Sequence, residues 1–362
     1  MMNPSNTEPA SPKFSGNCKK GKIPLEWAAD IQAAARFIDE HDDFLVVSHV
    51  GPDGDAVGST LAMAGILKAM KKSYRLANPD RLPAKYRILP WADELMSPED
   101  GEMAGPFRHV LALDAADLKR LEPLTERFAD DAKILNIDHH PTNTRFGTVQ
   151  LIVPQAAATA HLVYYLACAL DVDIDEALAT CLYTGIMTDT GGFRYSNTNT
   201  EVMRIAGDLL AAGANPARLA EQFLERMTAA QLQLLQRALS RMRWELDGRV
   251  SWTYVTMEDF AETGATDADV DGLVQYALRV EGVEVGILIR ETAPERCKIS
   301  FRSREPVDVA LLAARFGGGG HARAAGCTVS GRLEQVMENV RKELYKALLN
   351  GGPSSDGRPG LD

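Results

Sequence analysis

The sequence predicts an α/β protein, with a parallel-sheet domain carrying helices on both faces, a helical linker and a smaller mixed α/β domain. Three observations carry that expectation. Short apolar runs alternate with helical patterns between residues 23 and 215. One long amphipathic stretch then occupies 216–247, and a second alternation of strand and helix signals fills 248–349. The length of 362 residues agrees, because domains run roughly 100–200 residues each.

Taken in order, residues 1–22 and 350–362 are rich in Pro, Ser, Asn and Gly and are expected to be disordered. They hold too little apolar surface to offset the entropy of ordering. The runs Phe44–Ser48, Val110–Leu113 and Ile134–Ile137 read as strands buried in a parallel sheet. Helical spacing marks 26–40, 56–71, 156–170, 175–187 and 200–212, the last closed by Gly213. Across 216–247, Leu232, Leu235, Leu239 and Met242 recur at helical intervals and predict a connecting helix. The smaller domain should hold strands at Val250–Thr256, Val283–Glu291, Lys298–Arg302 and Cys327–Ser330, with helices at 268–280, 307–315 and 332–349. Two such lobes would form a cleft, a common place for a small ligand.

Charge narrows the partners. With 39 Lys+Arg against 50 Asp+Glu, the net charge of -11 argues against gripping long duplex nucleic acid, which normally needs a basic face. A polyanion would have to be met at a local site, one carrying metal. The five cysteines, Cys18, Cys168, Cys181, Cys297 and Cys327, are odd in number and lack CxxC spacing, which excludes a disulfide framework or a cysteine zinc cage. No run approaches the roughly 18 apolar residues of a membrane span, and the opening segment lacks the apolar core of a signal peptide. A soluble cytoplasmic protein is expected, with no membrane partner.

Each predicted strand of the larger domain runs into residues that bind metals. The first is followed by Ser48-His49-Val50-Gly51-Pro52-Asp53-Gly54-Asp55, the second by Asp114, and the third by Asp138-His139-His140. A later helix ends at Asp189, within Thr188-Asp-Thr-Gly-Gly192. Ligands of open parallel sheets bind outside the carboxyl ends of the strands, so these groups can converge from distant parts of the chain. Carboxylates gathered in one pocket repel and shift one another's pKa unless cations neutralise them. Carboxylates with imidazoles and no thiolates suit Mn²⁺ or Mg²⁺. There are ligands enough for two ions, which at roughly 3.5–4 Å apart activate water and clamp a phosphoryl oxygen.

Singly, these features mean less. A lone Asp-x-Asp is usually a turn, Asp114 could simply cap a helix, and an adjacent His pair is often surface or core filler. A calcium loop starting at Asp53 would need an oxygen ligand at 57 and Glu at 64, where Val57 and Ala64 stand. Gly51–Gly58 lacks the Gly-Lys-Ser/Thr of a phosphate-binding loop. Their joint occurrence at successive strand ends is what counts.

The segments HVGPDGDAVGS, ALDAAD, NIDHHPTN, TGIMTDTGGF and FGGGGHARAAG appear in that order, and together they strongly resemble the DHH/DHHA1 phosphoesterases. Within that family the chain looks most like the nanoRNase/pAp-phosphatase (NrnA-type) branch. The resemblance spans about residues 23–348 and implies a site of two metal ions, usually Mn²⁺. It implies that His49, Asp53 and Asp114 hold one ion, and that Asp55, Asp114, His139 and Asp189 hold the other, with Asp114 bridging. Asp138 would orient the ligand imidazoles. His140 would face the scissile phosphate, stabilising charge or protonating the leaving oxygen. The nucleophile would be a metal-bound water, so no Ser–His–Asp or Cys–His set is needed.

In the smaller domain Gly317-Gly318-Gly319-Gly320-His321 is too glycine-rich for ordinary packing, and glycines let backbone N–H groups approach an anion. Residues 286–326 hold seven basic residues (Arg290, Arg296, Lys298, Arg302, Arg304, Arg315 and Arg323) against four acidic ones. Arg302, Ser303 and Arg304 match the family's RS-type element, and Gly318, Gly319, Gly320 and His321 its GGGH, so these are the expected substrate-binding residues. Arginine suits forked phosphate recognition. Elsewhere, His41 and His109 are expected to face solvent, His161 to sit in the core or on a helix face, and Thr159 and Tyr183 to line the cleft.

The implied activity is release of mononucleotides from very short RNA and linear dinucleotides such as pGpG or pApA, with 3′-phosphatase action on pAp. Apolar helix faces would also allow a homodimer. The rivals fare less well. RecJ-type exonucleases carry an added OB-type domain with no counterpart here, and family II pyrophosphatases lack the GGGH signature. Membrane-bound cyclic-dinucleotide phosphodiesterases append transmembrane segments. A non-catalytic nucleotide-binding protein on the same scaffold need not keep every ligand.

Overall fold

A computed structural model of the chain describes residues 23–101, 103 and 105–350. The expected disordered ends lie outside the described residues, apart from Asn350, which closes the last helix. The chain forms two compact units, Met1–Arg226 and Met227–Asp362.

The first unit opens with α1 (Ala28–Glu40), whose Ile31, Ala34, Ala35 and Ile38 make one buried face. β1 (Phe44–Ser48) is buried at every position. Asp53 then caps α2 (Gly54–Ala69), which is buried from Gly54 to Leu67 and presents no polar side. β2 (Tyr74–Ala77), β3 (Leu95–Met96), β4 (Phe107–Leu113), β5 (Phe128–Asp138) and β6 (Val149–Ile152) follow. α3 (Thr159–Ala169), α4 (Glu176–Asp189), α5 (Thr200–Ala211) and the short α6 (Pro216–Ala220) complete the unit.

Its six strands are all parallel, in the order β3-β2-β1-β4-β5-β6. The chain steps outward from β1 to β3, returns past β1 to β4, and steps outward again to β6. The reversal falls between β1 and β4, and crevices for ligands open at such switch points. Alternate strand residues point to opposite faces. Phe44, Val46, Leu111, Leu113, Leu135 and Ile137 pack with the α-helices, whereas Leu45, Val47, Val110 and Ala112 pack with Leu121 and Leu124 of two 3₁₀ turns. The three expected central strands are present. β2, β3 and β6 are short additions that flank them.

The stretch from 216 to 247 is not one continuous helix. α6 passes into a π-helical turn at Glu221–Glu225, and α7 (Ala229–Ser240) starts afresh, capped by Thr228, within the second unit. Leu235 and Met242 are buried as the spacing implied, but Leu232 and Leu239 are exposed, and α7 buries Leu234, Leu235 and Ala238 instead. The break follows from Thr228, whose Oγ1 accepts from Gln231 N at 2.9 Å and donates to Asp269 Oδ1 at 2.5 Å.

The second unit continues with β7 (Arg243–Glu245), β8 (Val250–Val255), α8 (Met257–Thr263), α9 (Leu273–Leu278), β9 (Val285–Ala293) and β10 (Arg296–Ser303). α10 (Val309–Ala314), β11 (Gly319–His321), β12 (Ala324–Ser330) and α11 (Leu333–Asn350) close it. Its sheet runs β11-β12-β10-β9-β8-β7, with only β8 and β9 parallel. α10 and α11 cover one face through Val309, Leu312, Val336 and Val340; α7 and α9 cover the other through Leu234, Leu235, Leu273 and Val274. Cys181, Cys297 and Cys327 are free thiols, while Cys168 is disulfide-bonded, a pairing that the cysteine count and spacing did not signal.

Candidate metal centre

The carboxyl edge of the parallel sheet gathers the predicted ligands. His49 is the first residue past β1 and Asp114 the first past β4, on the two strands that flank the topological switch. Asp114 takes a left-handed backbone, φ 56°, which turns its side chain out of the strand direction; aspartate is among the few residues that tolerate this. Asp138 ends β5, with His139 and His140 next. Asp53 and Asp55 sit at the start of α2, and Asp189 at the end of α4.

Two groups of three donors result, His49–Asp53–Asp114 and Asp55–His139–Asp189, and a third joins Asp114 to His139 and His140. His49 Nε2 lies 3.4 Å from Asp114 Oδ2 and 4.0 Å from Asp53 Oδ1. His139 Nε2 lies 3.5 Å from Asp189 Oδ2, 3.8 Å from Asp114 Oδ1 and 3.9 Å from Asp55 Oδ2. Donors about 2.1 Å from a shared ion stand about 3.0–3.4 Å apart. The spacings here are close to that, and apart from the His49–Asp114 contact they are too long for direct hydrogen bonds. Asp114, with one oxygen toward each group, is placed to serve both.

Neighbouring groups hold these side chains in place. Asp55 accepts from the N–H groups of Thr159 (2.5 Å) and Ala160 (2.9 Å) at the start of α3, where the helix dipole favours negative charge. Thr159 Oγ1 donates to Asp114 Oδ1 at 2.9 Å. His139 Nδ1 donates to the Ala156 carbonyl at 3.2 Å, which turns the lone pair of Nε2 toward the carboxylates. His140 Nδ1 donates to Asp138 Oδ1 at 2.6 Å, and Asn143 Nδ2 donates to Asp138 Oδ2, also at 2.6 Å.

The electrostatics record the crowding. Burial first, then the charges of Asp114, Asp189 and Asp53, push the Asp55 carboxyl well above its usual range. Asp189 rises to about 7 through burial, with Asp53 and Asp114 adding to it against His139. Burial would raise Asp114 too, but the His49 hydrogen bond and the three imidazole charges hold it low. Burial lowers His140, yet the Asp138 bond and the charge of Asp114 outweigh it and bring the imidazole to about 9. Buried oxygens that compete for protons in this way are well matched to divalent cations.

The other predicted residues fall in the second unit. Arg302 lies on β10, its Nη1 donating to the Phe301 carbonyl at 2.9 Å. Ser303 is buried and its hydroxyl sits 2.6 Å from the Val307 carbonyl, so it already serves the local turn. Arg304 is exposed and reaches the Leu278 carbonyl at 3.3 Å. Gly319, Gly320 and His321 form β11 rather than an open loop. A Cβ at Gly320 would meet the Ala324 carbonyl oxygen at 2.5 Å, and Gly318 is similarly pressed against β12, so close strand approach explains both glycines; Gly319 has open space around it. The basic segment is partly neutralised, since Arg290 pairs with Asp267, Arg315 with Glu343 and Arg323 with Glu305.

His161 is buried edge-on to Trp27, with its pKa pushed to about 3 by burial, as befits a core residue. His41 and His109 are not simply solvated. Their rings lie 4.4 Å apart, and their Nδ1 atoms donate to the carbonyls of Phe37 and Asp42. Tyr183 is buried against Phe193. Sequence reasoning missed Arg120, whose Nη2 lies 2.9 Å from His49 Nδ1, because nothing in Asp117-Leu-Lys-Arg120 distinguishes it from surface charge. Asn143 was visible only as a letter of the NIDHHPTN segment.

A carboxylate–imidazole centre at the carboxyl edge of a parallel sheet is suited to hold the divalent ions with which a class of hydrolases activates water. The DHH family N-terminal domain matches residues 43–186, and the DHHA1 domain matches 249–350. A bifunctional oligoribonuclease and PAP phosphatase of Thermus thermophilus is 37% identical, over 83% of this chain and 90% of that protein. Its Bacillus subtilis namesake is 24% identical over 85% of this chain and 97% of its own length. An exopolyphosphatase-related protein from Bacteroides fragilis superposes with a TM-score of 0.83 at 29% identity, covering 89% of this chain and 98% of that one. The chain belongs to the DHH/DHHA1 phosphoesterase family.

Proposed function

We propose that this enzyme hydrolyses very short oligoribonucleotides and linear dinucleotides to mononucleotides, and removes the 3′-phosphate of 3′-phosphoadenosine 5′-phosphate at the same centre. The observation that carries the reading is the pair of donor groups meeting at Asp114. Its support from outside the chain is the stated activity of the relatives in Thermus and Bacillus.

His49, Asp53 and Asp114 would hold one Mn²⁺ ion and Asp55, Asp114, His139 and Asp189 a second. When bound, such ions supply Lewis acidity toward the phosphoryl oxygens and activate water. The protein's own part is positioning and proton movement. Asp138 fixes the His140 ring through Nδ1, so the other ring nitrogen serves the leaving oxygen. Water oxygen bonds to phosphorus, the P–O ester bond breaks, and the leaving oxygen takes a proton by way of His140.

In the second unit, Arg302, Ser303, Arg304, Gly318, Gly319, Gly320 and His321 would bind the substrate. The -11 charge fits a substrate of few phosphates rather than a long duplex. No helix among the described residues is long and apolar enough to cross a membrane, which fits a cytoplasmic place of work.

The test is a Mn²⁺ assay on 5′-labelled RNAs from two to thirty nucleotides, with 3′-phosphoadenosine 5′-phosphate and pyrophosphate alongside. Turnover should be greatest at two to five nucleotides and absent with pyrophosphate. Preference for long strands would overturn the reading.

A further inference from the structure

We propose that Arg120 is a substrate ligand of this centre, donating its guanidinium N–H groups to a non-bridging oxygen of the phosphate being attacked. The inference rests on the proposed function only in taking the ligand to be a phosphate ester.

Arg120 is fixed from both sides. Its own N–H is capped by Asp117 Oδ1 at 3.1 Å, and its carbonyl accepts from Val50 N at 2.9 Å, on the loop that follows His49. The guanidinium is half-buried, and its one side-chain partner among the described residues is the His49 imidazole. No carboxylate among the described residues holds it, although five aspartates lie around the centre. Arginine so placed is unusual, because a guanidinium near carboxylates normally takes a forked ion pair.

The His49 contact cannot persist in the working state. His49 Nδ1 lies 2.8 Å from the Val50 carbonyl and 2.9 Å from Arg120 Nη2. One nitrogen either donates to the carbonyl or accepts from the guanidinium, not both. For Nε2 to face Asp53 and Asp114 as a ligand, Nδ1 must carry the proton and bond to Val50. That leaves the N–H groups of Arg120 without an acceptor at the rim of a phosphate site. A phosphate oxygen is the acceptor that this arrangement lacks.

The experiment uses the full chain with Arg120→Gln and Arg120→Lys. Calorimetry with Mn²⁺ alone should give affinities within about twofold of the wild type. With Mn²⁺ present, inorganic phosphate should bind the Gln variant at least tenfold more weakly, KM for a linear dinucleotide should rise at least tenfold, and Lys should recover part of both. Unchanged phosphate affinity would overturn the assignment. So would a tenfold loss of Mn²⁺ affinity, since Arg120 would then be a prop for His49. Phosphate binding is read without turnover, so a wild-type protein that fails to cleave RNA would sink the proposed function while leaving this assignment standing or falling on its own result.

Discussion

Adding one methyl group at Gly185 should disturb the centre more than it disturbs the fold. A Cβ there would lie 2.5 Å from Ala160 Cβ and 2.8 Å from Asp55 Oδ1, where ordinary carbon contacts are about 3.5–4.0 Å. α4 and α3 would have to separate by about 1 Å, and α4 has little freedom to move: where it crosses α2, a Cβ on Gly58 would lie 2.7 Å from the Cys181 carbonyl oxygen. Overpacking of this kind costs about 1–3 kcal/mol, and alanine returns about 1 kcal/mol of helix propensity, so Gly185→Ala should lose no more than about 2 kcal/mol of stability. The Asp55 carboxylate, a proposed metal ligand, is displaced by the same push, and a 1 Å misplacement can cost about 10²-fold in rate. Gly207→Ala is the control. Gly207 is exposed on α5 with nothing within 4 Å, so the substitution should add about 0.5–1 kcal/mol and leave activity alone. Urea denaturation gives the stabilities, and Mn²⁺ calorimetry with dinucleotide turnover gives the rest. If Gly185→Ala bound Mn²⁺ and turned over like the wild type, the helix crossing would not be what positions Asp55.

Asp114→Ala should abolish turnover with every substrate and lower metal content measured by plasma emission; Asp114→Asn, which keeps tolerance for φ 56°, should fold better than the alanine variant yet remain inactive. Thr159→Val removes the hydroxyl donor to Asp114 at constant volume and should weaken Mn²⁺ binding about 10-fold by calorimetry. In the second unit Asp259 is buried, and its pKa falls to about 2 because hydrogen bonds from Arg241 and Thr256 overcome the raising effect of burial. Its stabilisation is therefore present above the ordinary carboxylate pKa of about 4 and lost as pH falls toward 2. Asp259→Asn should cost about 1–3 kcal/mol at neutral pH, with the gap to the wild type closing in acid, as urea midpoints at successive pH values would show.

Most of the centre could be read from the chain because strands buried on both faces are written as unbroken apolar runs, and Phe44–Ser48 leads directly into His49. β2 was harder to see. Tyr74-Arg-Leu-Ala has two outward positions and lies toward an edge, so it carries no continuous apolar signal. The glycines before His321 are a different case. Sequence shows that a side chain is absent but not what fills the space, which for Gly318 and Gly320 is a neighbouring strand. Arg120 was invisible because its role depends on the Val50–Arg120 backbone bond across distant segments, which no local pattern encodes.

α2 bears on turnover as well as on architecture. A helix sheathed by protein along its length cannot rotate or slide without opening the interior, so Asp55, seated in its first turn, is as immobile as any leucine beneath it. Give during a catalytic cycle is easier outside that sheath, as in the segment beyond Asp189, where Tyr195 stands out in solvent.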